Sequence, residues 1–519
     1  MNALYALLIG GSVGALLWFF AYEAIIMDFR PSNPFFYKNL VKMAFSASAG
    51  IAAASLSLLV TMSGVSRRKF KPVKDDQGKI LYNPNRVLKL GPRTWNEDEF
   101  CGHMLITGAS GFGKTVAYKA MLDSLLQNVP NLGGMVIDAK GDILPDLEKL
   151  MRIYGRENDL IVVQARNPAT FPDWTPPHRL NLIGDETIPY TVRAKLLADA
   201  MAALNSGSDS PFFKQQGPDW FAKGMELLDE LEEPVTIATV AELFSDPHLM
   251  EHKVGVLESL AESRARTELI SSLRGGLIDL QSEGQKEGIL GSVRNLVSKF
   301  LTPGIREVFA SSEPDTFKIS GMDEGKIIVL SISQEFTGER KAVYMLMKLA
   351  AYRHGKRRFD HPEEIKNKNM ICLFFDEFQN YVTSSSDGET DFSAIDQLRS
   401  AKMPIIAGSQ STTSLIPAFG SRERAQTFML NCTNLIIFRS ADESCSKLSA
   451  DALGKKEKWK KSYSSGSGKA SVSKTKQEEH NVKPHVLRAL PKLTCYLNHV
   501  SLGVSKLKMP IPKSLFEKR

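Results

Sequence analysis

At 519 residues, with 43% hydrophobic and 24% charged side chains, the chain has the make-up of a folded protein and exceeds the usual size of one domain. Its formal net charge of +7 is too modest to argue for nucleic acid by itself. The five cysteines (Cys101, Cys372, Cys432, Cys445 and Cys495) form no C-x-x-C pair, which excludes zinc-finger spacing and fits buried thiols in a reduced compartment.

The first elements are two uncharged runs. Residues 3–20 read ALYALLIGGSVGALLWFF, and residues 43–62 read MAFSASAGIAAASLSLLVTM. Each is long enough to cross about 30 Å of hydrocarbon as a helix. No basic stretch precedes the first, unlike a signal peptide. The pattern predicts a transmembrane hairpin of two helices, about 3–24 and 43–62, turned at Pro31 and Pro34 within an anchor of residues 1–65. The basic stretch SRRKFKPVK at 66–74 predicts that the bulk of the chain is cytoplasmic. Arg30, Lys38 and Lys42, at the edges of the short outside loop, pull the other way.

Beyond residue 85, short apolar runs alternate with helical text. HMLIT (103–107), GMVID (134–138), LIVVQ (160–164), KIIVLSI (326–332), MICLFFD (370–376), MPIIAGS (403–409) and NLIIFRS (434–440) are unbroken rather than alternating. Such runs predict strands covered on both faces, in an α/β domain with a largely parallel sheet. TCYLNHVSLG (494–503) predicts a last strand. Residues 188–309 carry amphipathic helical text and no strand run, with Thr236 placed as a helix cap. They predict either an all-α inserted domain or helices elaborating the sheet's outer layer. The inserted-domain reading divides the nucleotide-binding domain into 66–187 and 310–519. The basic, Gly/Ser-rich stretch 455–476 predicts an extended loop or hairpin, either solvated or in contact with nucleic acid.

Gly108-Ala109-Ser110-Gly111-Phe112-Gly113-Lys114-Thr115 fits G-x-x-x-x-G-K-[ST] without a mismatch. Backbone N–H groups converge on a phosphate only where side chains are absent, and the following helix turns its positive end to the anion. Lys114 then reaches the β/γ-phosphates and the Thr115 hydroxyl ligates Mg²⁺, so ATP and Mg²⁺ are the expected cofactors. MICLFFDEFQN ends a strand in Asp376-Glu377. Asp376 suits the magnesium, and Glu377 suits the activation of water, which implies hydrolysis. Asp138 and Asp142 form a rival acidic strand end without the adjacent pair. His103, His178, His480 and His485 make no ligand spacing, which argues against a metal-dependent nuclease or a relaxase.

These pieces together resemble a type IV secretion coupling protein of the TraD/TraG kind, within the FtsK/HerA group of motors. The resemblance spans nearly the whole chain: the paired apolar runs, the P-loop, VIDAKGD (136–142), RLNLIG (179–184), LFFDEFQN and QLRSAKMPIIAGSQSTTSL (397–415). Ala139 and Asp142 depart from the family's D-P-K-G-E form, and RLNLIG lacks the proline of its N-P-L. The resemblance implies a RecA-like domain and a homo-hexamer in the bacterial inner membrane. By it Arg399 is an arginine finger reaching a neighbouring subunit, with Arg439 and Arg294 as rivals, and Gln410 is a sensor beside the water. The implied partners are single- or double-stranded DNA, a relaxase or effector proteins with their adaptors, channel proteins and membrane lipid. A chromosome-type double-stranded DNA translocase and a non-hydrolytic membrane docking platform are the competing expectations.

Overall fold

The computed structural model describes residues 73–74, 80–204, 211–260, 263–360, 362–383, 390–466 and 469–515. The unbroken apolar runs fold as strands of one sheet. They are β1 (Met104–Thr107), β2 (Gly133–Ile137), β3 (Leu160–Val163), β4 (Ile327–Leu330), β5 (Ile371–Phe375), β6 (Ile405–Ser409) and β7 (Asn434–Ile437). The expected last strand is instead two, β8 (Thr494–His499) and β9 (Gly503–Lys508). The chain reverses between them, where Gly503 takes a φ of +66° and the Leu502 N–H bonds to the His499 carbonyl. That left-handed conformation costs glycine little, which is why the turn falls there.

The strand order is β9-β8-β7-β1-β6-β5-β2-β4-β3. Strands β1 to β7 run parallel, and the β8–β9 hairpin adds antiparallel to β7. Successive residues of each strand enter opposite cores. Ile106, Val136, Phe374 and Ile436 pack with the helices Lys114–Asn128 and Leu144–Ile153. Leu105, Ile137, Phe375 and Ile437 pack with the helices Thr337–Phe359 and Asp391–Ser400. Burial on both faces is why these runs show no polar alternation. Phe374 and Phe375 are both fully buried, and each burial contributes about 2–3 kcal/mol.

Between β3 and β4 the described residues form helices and no strand, chiefly Tyr190–Leu204, Pro211–Glu230, Ile237–Ser245, Pro247–Ser259, Arg264–Leu273 and Glu283–Val297. Thr236 caps the third, its hydroxyl accepting from the Thr239 N–H at 3.1 Å. Asp246 ends that helix and caps the next, with Pro247 at its first position. Residues Lys455–Gly466 and Lys469–His480 pair antiparallel as a long ribbon, on which Trp459 is 60% exposed beneath the Lys476 ammonium.

The expected two-span inner-membrane location requires correction. Among the described residues no helix is long and apolar enough to cross a membrane. The longest of them, Thr337–Phe359, carries Lys348, Lys356, Arg357 and Arg358, and no membrane core would accept that charge. The two apolar runs, 3–24 and 43–62, lie outside the described residues. The location, with lipid as a partner, is withdrawn.

One buried contact makes the fold sensitive to acid. His103 sits where the chain enters β1, its Nε2 bonded to the Ile395 carbonyl at 2.6 Å while its Nδ1 accepts from the Ile405 N–H at 3.0 Å. A second ring proton would point at that N–H donor. Burial, with the charge of Arg399 nearby, pushes the imidazole down to about 4. The unfolded chain therefore takes up the proton first, and stability falls as pH drops from about 6.5 to about 4, by about 3 kcal/mol in all. The urea midpoint should fall across that window. His103→Asn, which tolerates the positive φ here, should lack this component of the fall.

Candidate nucleotide site

The P-loop leaves the end of β1 and enters the helix Lys114–Asn128. Gly108, Gly111 and Gly113 take φ values of +154°, +80° and +126°. A Cβ at Gly108 would lie 2.5 Å from the Phe438 Cβ, and one at Gly113 would lie 2.9 Å from the Phe438 ring, so the loop is pressed onto the end of β7. Around Gly111 nothing lies within 4 Å of such an atom, and the crest at Ser110 and Gly111 is exposed. The Ala109 N–H bonds to the Arg439 carbonyl, and the Leu493 N–H to the Phe112 carbonyl. Gly113 caps the helix without a side-chain bond, leaving the first-turn N–H groups directed at whatever sits on the loop. Lys114 is buried and donates to the Gly108 carbonyl at 2.6 Å.

Strand β6 lies between β1 and β5, so the acidic pair stands one strand away from the loop. Tyr118, on the P-loop helix, bridges that gap by donating to the Phe375 carbonyl at 3.1 Å. It crosses β6 at Gly408, where a Cβ would come within 1.9 Å of its hydroxyl. Asp376 and Glu377 are both buried, and Glu377 is held at a φ of +51°. That conformation is uncommon for a residue other than glycine.

Burial, and then the charge of Glu377, push Asp376 up to about 6. Burial works upward on Glu377 too, but the hydrogen bonds from Lys140 and Gln379 and the ammonium charges hold it below its usual value. Its Oε2 accepts from Gln379 at 2.6 Å and from Gln410 at 2.9 Å, and its Oε1 pairs with Lys140 at 2.6 Å. An open crest over glycines, an uncapped helix start and desolvated carboxylates within electrostatic reach of Lys114 fit a magnesium-bound phosphate chain.

The structure thus brings Lys114, Asp376, Glu377 and Gln410 together, with Thr115 next to Lys114 in the first turn of the P-loop helix. It separates the rival acids by environment. Both Asp138 oxygens are occupied by the N–H groups of Gly141, Asp142, Ile143 and Leu144 at 2.9–3.1 Å, which makes Asp138 a backbone clamp, and Asp142 is exposed. Arg399 stands on the helix that leads into β6, at the opposite end of the sheet from the P-loop. Its side chain is 48% exposed and 3.2 Å from Asp98. Arg439 lies over the Phe112 ring of its own P-loop at 5.0 Å, and Arg294 is exposed on the helix Glu283–Val297. Sequence reasoning missed Lys140 and Tyr118, whose partners lie on other strands, and Gln379, which stands inside the acidic motif but shows its role only once its amide is seen on Glu377.

The layout is that of a P-loop nucleotide-binding domain with a RecA-like sheet. Residues 371–492 match the family described as "TraM recognition site of TraD and TraG". No curated protein sequence matches the chain. Among solved structures, the unbound bacterial conjugative coupling protein TrwBdeltaN70 is 16% identical with a TM-score of 0.58, over 86% of this chain and 94% of that one. TrwB in complex with the non-hydrolysable ATP analogue ADPNP is 16% identical with a TM-score of 0.58, over 86% and 95%. The complex of TrwB with ADP and Mg²⁺ gives the same values. At that identity the likeness establishes the fold. The family segment, residues 371–492, lies within the part of the chain that shares this fold.

Proposed function

We propose that the chain is an ATP-hydrolysing coupling protein that takes up a DNA–protein or protein cargo and delivers it to a type IV secretion channel. The carrying observation is Glu377, buried in reach of Lys114 and bonded to Gln410 at 2.9 Å, one strand from a glycine cradle. Lys114 would engage the phosphates, Thr115 and Asp376 would hold Mg²⁺, Glu377 would take the proton of the attacking water and Gln410 would report on it. Magnesium there would offset the charge that develops on the transferred phosphoryl group. The complexes of TrwB with ADPNP and with ADP and Mg²⁺ support ATP and Mg²⁺ as the ligands.

The family segment supports proteins of the relaxosome as partners. The exposed, lysine-rich ribbon with Trp459 supports a sequence-independent hold on DNA. Arg399, solvent-facing and at the opposite end of the sheet from its own P-loop, would serve a neighbour in a ring, six-membered by the family resemblance. Residues 188–309 serve in this reading as a helical domain inserted into the nucleotide-binding one.

Full-length protein is expected to hydrolyse ATP slowly when dispersed and faster on assembly or with single-stranded DNA. Arg399→Ala should bind nucleotide normally and lose that rise. A full rate from assembled Arg399→Ala protein would remove the finger. A wild-type rate indifferent to both DNA and assembly would overturn the motor.

A further inference from the structure

Both carboxylate oxygens of Glu377 are engaged in the arrangement seen here. One carboxylate oxygen is taken by the amides of Gln379 and Gln410, and the other is covered by the Lys140 ammonium at 2.6 Å. Lys140 rises from a stiff loop after β2. The Asp138 carboxylate gathers four backbone N–H groups there, and Arg340 donates to the Ala139 carbonyl at 3.3 Å. Its own side chain is 37% exposed, so a fixed backbone carries a movable amine to the mouth of the site. Lys114, the other cation in reach, is tied to the loop through the Gly108 carbonyl.

We infer that Lys140 is a phosphate-sensing residue: it covers Glu377 until a terminal phosphate arrives, then moves to that phosphate and uncovers the carboxylate. An ammonium leaves a carboxylate only for a stronger anion, and a terminal phosphate offers more charge and more acceptor oxygens. A nucleoside diphosphate ends short of that position, so Lys140 stays on Glu377. The inference rests on the nucleotide reading of this site and adds to it the discrimination between triphosphate and diphosphate.

Binding of a fluorescent non-hydrolysable ATP analogue and of fluorescent ADP, each with Mg²⁺, tests this on the full chain. In Lys140→Met the preference for triphosphate over diphosphate should shrink by roughly threefold to tenfold, less than a whole charge-assisted bond because Lys140 gives up Glu377 to reach the phosphate. ADP affinity should stay within about twofold, since no contact to it is removed. Lys140→Arg should keep most of the preference. An equal loss for both nucleotides, or no change in their ratio, would overturn the inference while leaving the nucleotide site standing. Wild-type protein that binds neither nucleotide would end both.

Discussion

Glu377→Gln is expected to lower ATP hydrolysis by about 10²–10⁴-fold, the usual range for loss of a general base. Nucleotide binding should survive, because the glycine cradle, Lys114 and Thr115 lie on a different strand end from the substitution. The amide keeps the shape of the carboxylate and its contact to Gln410, but it accepts no proton at neutral pH. Lys114→Ala is expected to lose as much activity for another reason. It removes a buried ammonium from beside the phosphates, so affinity falls together with rate. Phosphate release in single-turnover conditions, set beside nucleotide binding, separates the two. Either protein turning over within about threefold of wild type would sink the site, given the losses such groups cause elsewhere.

The second large effect is on stability. Lys348 is fully buried and donates to the Tyr381 carbonyl at 2.7 Å and to Asp391 at 2.8 Å. Asp391 also accepts from Tyr352 at 2.7 Å and from the Thr383 N–H at 2.7 Å. Burial pulls the ammonium down, and the Asp391 charge and hydrogen bond work against that. Lys348→Met would leave Asp391 a buried carboxylate without its cation, at a cost of about 3–5 kcal/mol. Lys348→Met with Asp391→Asn removes both charges and should regain much of that loss. Urea midpoints of wild type, single and double variants supply the test, and a single variant as stable as wild type would show the pair to be idle. The same network ties the segment after the acidic strand to the helix that carries Arg399. Tyr381 donates in turn to the Asp376 carbonyl at 2.6 Å.

The sheet was legible because parallel strands are apolar on both faces, so β1 to β7 stood out as unbroken runs. The phosphate loop was legible because its glycines and lysine fall at fixed intervals in one short stretch. Strand order was not, since nothing in a linear text says that β6 lies between β1 and β5. That order is what sets Gln410 against Glu377 and Tyr118 against Phe375. Lys140 and Lys348 were hidden for a related reason. A lysine's role depends on its partner, and these partners lie far along the chain or across the sheet. Asp138 read as a rival acid because spacing does not reveal that four N–H groups already occupy it. The division of β8 from β9 was missed because the glycine that permits the turn sits at the very end of the apolar text.

The crossing at Gly408 has a mechanical consequence. With Tyr118 lying flush over that glycine and bonded to the far strand, the P-loop helix and the end of β5 are braced against each other across β6. One added methyl at position 408 would fall 1.9 Å from the Tyr118 hydroxyl and wedge that brace open.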